Sequence, residues 1–255
     1  MNNNYLPSDY QTFIATSRYA RWLDDEGRRE TWGETVERYL ENIAKTWLKP
    51  VDLQEVREAI LSLEVMPSMR SMMTAGKAAD RDNTCMYNCS YLPVDDPKSF
   101  DEAMFILLCG TGVGFSVERQ FITKLPDVPT LFQSETCVVI KDSKEGWAKG
   151  LRQVLALLWA GEIPKWDVSK VRPAGARLKT FGGRASGPAP LIDLFNFAIT
   201  TFKQAQGRKL SSLECHDLMC KIGEVVVVGG VRRSAMISLS NLSDDRMRHA
   251  KSGNW

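Results

Sequence analysis

The sequence has no excess of either charge. Its 33 Lys and Arg stand against 31 Asp and Glu over 255 residues, so composition gives no reason to expect nucleic acid as a partner. It also lacks long apolar runs. No stretch approaches the roughly 18 uninterrupted residues of a membrane span, and no membrane partner is expected. The opening "MNNNYLPSDYQTF" has neither the basic nor the apolar region of a secretory leader. The six cysteines (85, 89, 109, 137, 215 and 220) therefore read as reduced thiols rather than a disulfide framework, and the expected setting is cytoplasmic. Histidine is scarce, with two in the chain. There is no internal repeat and no low-complexity linker.

What is present is a chain of 44% hydrophobic content, enough for a substantial core. Residues 1–80 read as a helical, partly polar region. "RETWGETVERYLENIAKTWL" opens with a capping box, Thr31 with Glu34, followed by apolar residues near helical spacing. "DLQEVREAILSLEVMPS" predicts a second helix ending near Pro67. From about residue 81 the rhythm changes to α/β. Cys89–Val94 predicts a strand, and Asp96 with Pro97 starts a helix that stops at Gly110. "GTGVGFSVER" predicts a glycine loop entering a buried strand, and "PTLFQSETCVVIKD" a strand or hairpin. Further helices are expected up to Gly161, up to Gly207 and from a Ser211–Glu214 capping box; a strand follows at "SAMISLS". Strands alternating with helices across short glycine loops argue for an α/β fold with buried strands over 81–255.

Several residues could carry chemistry. A reactive thiol must be reachable and able to ionise, and Cys89 opens a strand; the alternative is a plain buried cysteine. Cys85-x-x-x-Cys89 fits no common zinc spacing. Cys215 and Cys220 lie roughly 140° apart around a helix and cannot share a metal, so no metal site is expected. "GTGVG" (110–114) follows a helix and precedes a strand, the wrong order for a dinucleotide-binding turn. "FGGRASGP" (181–188) and "VGGVRRSA" (228–235) each combine a Gly-Gly loop with arginine and serine. That pairing suits a phosphorylated ligand, with Arg172 as a further cation; either loop could equally be a plain turn.

Five segments taken in order carry a resemblance: "YARWLDDEGRRETWGETVERYLEN" (19–42), "NCSYLPVDD", "GTGVGFSVER", "VRPAGARLKTFGGRASGPAPLI" and "GGVRRSAMISL". They resemble segments of adenosylcobalamin-dependent ribonucleoside-triphosphate reductase, the class II, monomer-type ribonucleotide reductase, over roughly residues 15–250. The resemblance implies a helical cap followed by the first half of a ten-stranded α/β barrel. It also implies reduction of ribonucleoside triphosphates to 2′-deoxyribonucleoside triphosphates by thiyl-radical chemistry that adenosylcobalamin starts. A thioredoxin-type donor would supply electrons, and a deoxynucleoside triphosphate would act as effector. Cys89 matches the first of two reducing thiols. Asn88, Gly110, Thr111 and Gly112 would lie against the substrate, as would Ser68 in "MPSMR". Arg172 and the two glycine loops (Gly182, Gly183, Arg184, Ser186; Gly229, Gly230, Arg232, Arg233) match the effector-specificity elements.

The departures matter too. The family's Asn-Pro-Cys-Gly-Glu stretch, with its radical cysteine, does not occur in these 255 residues. That cysteine, most cobalamin contacts and a C-terminal thiol relay are expected elsewhere, on a continuation of this chain or on a separate C-terminal chain, and this piece alone is expected to be inactive. The segment between "SVER" and "EGW" looks shorter than in monomeric members, which leaves monomer and dimer open. Two other readings stay open: a non-catalytic nucleotide-binding module, and a thiol oxidoreductase using Cys85 and Cys89.

Overall fold

The computed structural model describes residues 6–176, 184–228 and 235–252. It divides into two compact units, Met1–Asn88 and Cys89–Trp255.

The first unit is helical apart from a small hairpin. In chain order it contains α1 (Asp9–Ile14), β1 (Trp22–Leu23), β2 (Arg28–Arg29), α2 (Trp32–Asn42), α3 (Pro50–Leu61), α4 (Met69–Thr74) and α5 (Lys77–Arg81). The capping box forms as expected. Thr31 accepts from the Glu34 N–H, and the Glu34 carboxylate accepts from the Thr31 N–H. Arg28 grips the same carboxylate through two nitrogens at 2.8 and 2.7 Å and holds its pKa at about 2. Trp32, Val36 and Leu40, four apart along α2, form its buried stripe. Beneath it the buried Glu30–Arg38 pair fixes the chain around α4, because Arg38 also donates to the carbonyls of Met72 and Ala75. The second helix is shorter than the sequence suggested. α3 ends at Leu61, not near Pro67, because Leu63 takes φ +65°, a left-handed conformation no helix can continue through.

The second unit alternates strand and helix. Its elements are β3 (Cys89–Pro93), α6 (Lys98–Leu108), β4 (Gly112–Ser116), α7 (Arg119–Ile122), β5 (Phe132–Val139), α8 (Lys144–Trp159), β6 (Glu162–Asp167), α9 (Ala189–Gln204), α10 (Ser212–Val228), β7 (Met236–Leu239) and α11 (Asp245–Arg248). β3, β4 and β7 form one parallel sheet in that order, and β5 and β6 a second parallel pair. Parallel strands need crossovers, and α6 supplies the one from β3 to β4. It ends in a Schellman turn: the Thr111 N–H reaches the Ile106 carbonyl at 3.2 Å and the Gly110 N–H that of Leu107 at 2.8 Å. Gly110 sits at φ +82°, where a side chain would be strained. The core is aromatic and aliphatic, with Phe100, Phe115, Phe195 and Phe202 fully buried. Trp159 meets Phe202 edge-on, centroids 4.7 Å apart.

One open choice is settled here and one strand is added. "PTLFQSETCVVIKD" is a single eight-residue strand, β5, and not a hairpin. Its partner β6 is a strand the sequence pattern did not show, since Pro164 within it cannot donate to a ladder. Helix α8 seats on the end of β5 through two glycines four residues apart. A Cβ at Gly146 would stand 2.4 Å from the Lys141 carbonyl oxygen, and one at Gly150 2.4 Å from Ile140 Cδ1. Alanine is the better helix former by about 1 kcal/mol. Even so, Gly146→Ala should lower the unfolding free energy by about 1–2 kcal/mol in urea titration, because the backbone oxygen it meets cannot move aside.

The cap of α10 gives a second test. Burial pushes the Glu214 carboxyl up, but two Arg208 nitrogens at 2.7 Å and the Ser211 N–H and hydroxyl outweigh it and hold its pKa at about 2. A depressed carboxylate pKa stabilises the fold above the ordinary value of 4.5, and that contribution is lost as pH falls towards 2. Glu214→Gln should therefore cost about 1 kcal/mol at pH 7. Its deficit relative to the parent chain should shrink between pH 4.5 and 2.

Candidate functional site

The sheet of β3, β4 and β7 has unlike faces. Ser90 and Leu92 on β3, and Val113 and Phe115 on β4, turn toward the helices; Val113 and Phe115 are about 1% exposed. The opposite face carries Cys89 and Tyr91 from β3 and Ile237 and Leu239 from β7, all exposed. Between them β4 presents Gly112 and Gly114, with the buried Ser116 next in the row beside Leu239. Cys89 stands in register with Gly112, and Tyr91 and Ile237 flank Gly114. A Cβ at Gly114 would approach Ile237 Cγ2 to 3.2 Å. The result is an apolar floor with a glycine strip down its middle and a reachable thiol at one corner. Glycine there lets a ligand lie against backbone amides.

The residues expected around this floor divide. Gly110 and Gly112 are half-buried, whereas Thr111 is buried at 2% exposure and turns away from the open face. Ser68 and Asn88 belong to the first unit. Ser68 is exposed at the start of α4 and makes no capping bond. Asn88 is exposed and accepts from Arg70 Nε at 3.1 Å. Cys85 is buried, its thiol donating to the Asp82 carbonyl at 3.2 Å. A larger cleft of about 1080 Å³ in the first unit, beside Trp32, Glu34 and Arg57, holds none of the expected site residues.

A smaller cleft opens where β5 runs into α8. Asp142, Ser143, Lys144, Trp147, Arg172 and Ser186 are among its lining residues. Arg172 Nε meets Asp142 Oδ2 at 2.7 Å, each side chain about one-third exposed. Ser143 caps α8 by accepting the Gly146 N–H at 3.0 Å, so the positive end of a 16-residue helix opens into the cleft. Lys144 Nζ lies 3.1 Å from Cys109 Sγ and 4.9 Å from the Phe105 ring centroid. At about 120 Å³ the cleft has the room of roughly four water molecules.

Of the residues expected at an effector site, Arg172 and Ser186 line this cleft. Arg184 is exposed and donates to the Gly175 carbonyl at 3.1 Å. Gly182, Gly183, Gly229, Gly230, Arg232 and Arg233 lie outside the described residues. Asp142, Ser143 and Lys144 were not anticipated. "VVIKDSKEGW" carried the signal, an Asp-Ser helix cap directly after a strand with a lysine beside it. Among the described residues no group of His, Cys, Asp and Glu could hold a metal ion, and no helix is long and apolar enough to cross a membrane.

Comparison with known proteins bears on this geometry. Residues 120–201 match the sequence family described as the insertion domain of B12-dependent ribonucleotide reductase. The adenosylcobalamin-dependent ribonucleoside-triphosphate reductase of Lacticaseibacillus paracasei is 28% identical over an alignment covering 89% of this chain and 40% of that protein. The reductase of the same name from Lactobacillus leichmannii is also 28% identical, with the same coverage. A putative one from Mycobacterium phage D29 is 27% identical over 89% of this chain and 39% of its own. A crystal structure of a B12-dependent, class II ribonucleotide reductase superposes with a TM-score of 0.78 at 24% identity, over 94% of this chain and 42% of the other. The second unit thus has the partial α/β barrel of the reductase fold. In sequence the chain is similar to adenosylcobalamin-dependent ribonucleoside-triphosphate reductases, and it spans about 40% of the length of the curated relatives it matches. The L. paracasei alignment runs over 308 positions, while 89% of 255 residues is about 227. About 80 positions (308 less 227) of that span therefore have no residue here.

The cysteines provide a direct check on the placement. Cys89, Cys137 and Cys220 are exposed, and Cys85, Cys109 and Cys215 buried. Ellman's reagent should titrate three thiols in the native chain and all six in denaturant, with Cys89 in the fast set by peptide mapping.

Proposed function

We propose that this chain forms part of the catalytic barrel of an adenosylcobalamin-dependent ribonucleoside-triphosphate reductase. On this reading Cys89 is one of the two thiols that reduce the ribose, and the Arg172 cleft takes the effector. The observation that carries it is Cys89 itself: a reachable sulfur, in register with Gly112, on the open face of its sheet. A reducing thiol needs that placement. The ribose 2′-hydroxyl leaves as water, its carbon gains hydrogen, and two thiols give up two electrons and close to a disulfide. Cys89 supplies one sulfur; its partner is assigned to the part of the relatives' length that this chain does not span.

Most cobalamin contacts are assigned to the part of the relatives' length that this chain does not span, and no step here is routed through the cofactor. When bound, adenosylcobalamin supplies the cobalt–carbon bond whose homolysis starts the radical. What this chain contributes is positioning. The Gly112–Gly114 strip lets the nucleotide lie close beside Cys89, and Tyr91 and Ile237 keep water from the sugar once the barrel is complete. The ribonucleoside triphosphate, a thioredoxin-type dithiol donor and a complementary barrel half are the partners this reading requires.

The cleft suits a deoxynucleoside triphosphate effector. Its small volume admits a phosphate group, Arg172 and the α8 terminus attract it, and Asp142 at the rim can accept from a deoxyribose 3′-hydroxyl. Calorimetry of the 255-residue chain with dATP or dGTP should show binding, weakened about tenfold or more by Arg172→Ala, since a charge-assisted hydrogen bond contributes about 1.5–3 kcal/mol. Absence of heat and of any thermal shift would remove the effector assignment. Supplied with adenosylcobalamin, a dithiol and CTP, the chain alone should give no dCTP, because it holds no Asn-Pro-Cys-Gly-Glu stretch. Formation of dCTP above a no-protein blank would contradict this division of the chemistry.

A further inference from the structure

Helix α10 carries a cluster used by neither the open sheet face nor the cleft. Cys220 is exposed, and its Sγ lies 3.5 Å from His216 Nε2, one helical turn earlier. The same ring's Nδ1 lies 3.0 Å from Asp217 Oδ1. The ring is held in place: its side chain is only 13% exposed and packs against Phe115, centroids 6.1 Å apart. Sulfur, imidazole and carboxylate therefore stand in the order that activates a thiol, with the carboxylate orienting the ring and the ring facing the sulfur. The sulfur itself faces solvent.

No other cysteine combines these features. Cys85, Cys109 and Cys215 are buried, and burial pushes the Cys215 thiol well up, away from ionisation. Cys89 and Cys137 are exposed, but among the described residues no imidazole or ammonium lies within hydrogen-bonding distance of either sulfur. We propose that Cys220 is a reactive thiol and a site of reversible modification, oxidised by hydroperoxides and then capped by a small thiol of the glutathione class. His216 supports this as the proton partner. Its hydrogen bond to Cys220 raises its pKa, burial opposes that, Asp217 adds to it, and the value reaches about 8, so the ring is cationic at pH 7.

The chemistry balances. The Cys220 thiolate attacks one peroxide oxygen, an S–O bond forms and the O–O bond breaks. The departing hydroxide, or alkoxide from an organic hydroperoxide, takes the proton of the His216 imidazolium and leaves as water or alcohol. The sulfur is oxidised by two electrons and the peroxide reduced by two. The sulfenic acid then condenses with the small thiol, forming an S–S bond and releasing water. A second thiol restores Cys220 by exchange. None of this depends on the reductase reading.

The test uses the 255-residue chain with limiting iodoacetamide at pH 7, followed by peptide mass mapping. Cys137, exposed but without an imidazole, is the internal standard. Free cysteine is only a few per cent thiolate at pH 7, and nucleophilicity falls somewhat as ionisation rises, so Cys220 should label about tenfold faster than Cys137. Hydrogen peroxide followed by a dimedone-type trap should place the adduct on Cys220. His216→Asn should bring the Cys220 rate down to that of Cys137 and leave the Cys137 rate unchanged. Asp217→Asn alters an exposed carboxylate and keeps the comparison valid if the histidine variant unfolds; it should slow Cys220 about two- to fivefold. A Cys220 rate within twofold of Cys137, or one that the variants do not change, would overturn the assignment.

Discussion

A parallel sheet is stable in water when helices or other layers cover both its faces. In the second unit only one face of β3, β4 and β7 is covered. α6 and α10 close over Leu92, Val113 and Phe115, while Tyr91, Ile237 and Leu239 stand exposed on the other side. That uncovered face explains the rest of the arrangement. It accounts for glycine at position 114, where a side chain would crowd Ile237 and Tyr91, and for an exposed thiol at the start of β3. It also matches the extent of the similarity, since the chain and its relatives share a fold over only about two-fifths of the relatives' length.

The second organising constraint is electrostatic. β5 delivers Asp142 to the start of α8, and Ser143 caps that helix so that its remaining N–H groups face the cleft. Arg172 would be a free cation there without Asp142. Paired at 2.7 Å, it is held in one orientation, and an arriving phosphate would have to compete with a carboxylate for it.

Much of this was legible in the sequence because local chemistry and global fold agree. Thr31 with Glu34 and Ser211 with Glu214 each start the helix their spacing predicts, and Gly110, Gly161 and Gly207 take the left-handed angles that stop helices. The misses have particular causes. Leu63 adopts a conformation its side chain disfavours, so nothing in its identity announced the end of α3. Pro164 hid β6 because proline argues against a central strand, yet the pairing with β5 tolerates it. The strands were expected to be buried, yet β3 and β7 alternate buried or half-buried with exposed residues, and "CSYL" and "MISL" are too short for that alternation to outweigh their apolar content. Asp142 and Ser143 were not legible because a strand running into an Asp-Ser helix cap is common and marks a helix start rather than a ligand.

The two glycines of α8 carry a mechanical implication. At Gly146 the helix meets the Lys141 backbone with no rotatable side chain between them to absorb displacement, and at Gly150 it rests on the tip of Ile140. A shift of Ser143 and Lys144 by a fraction of an ångström would be passed whole to the β5–β6 ribbon. The junction behaves as a rigid coupling, not a cushion, and whatever docks at the helix tip can be felt along the strand.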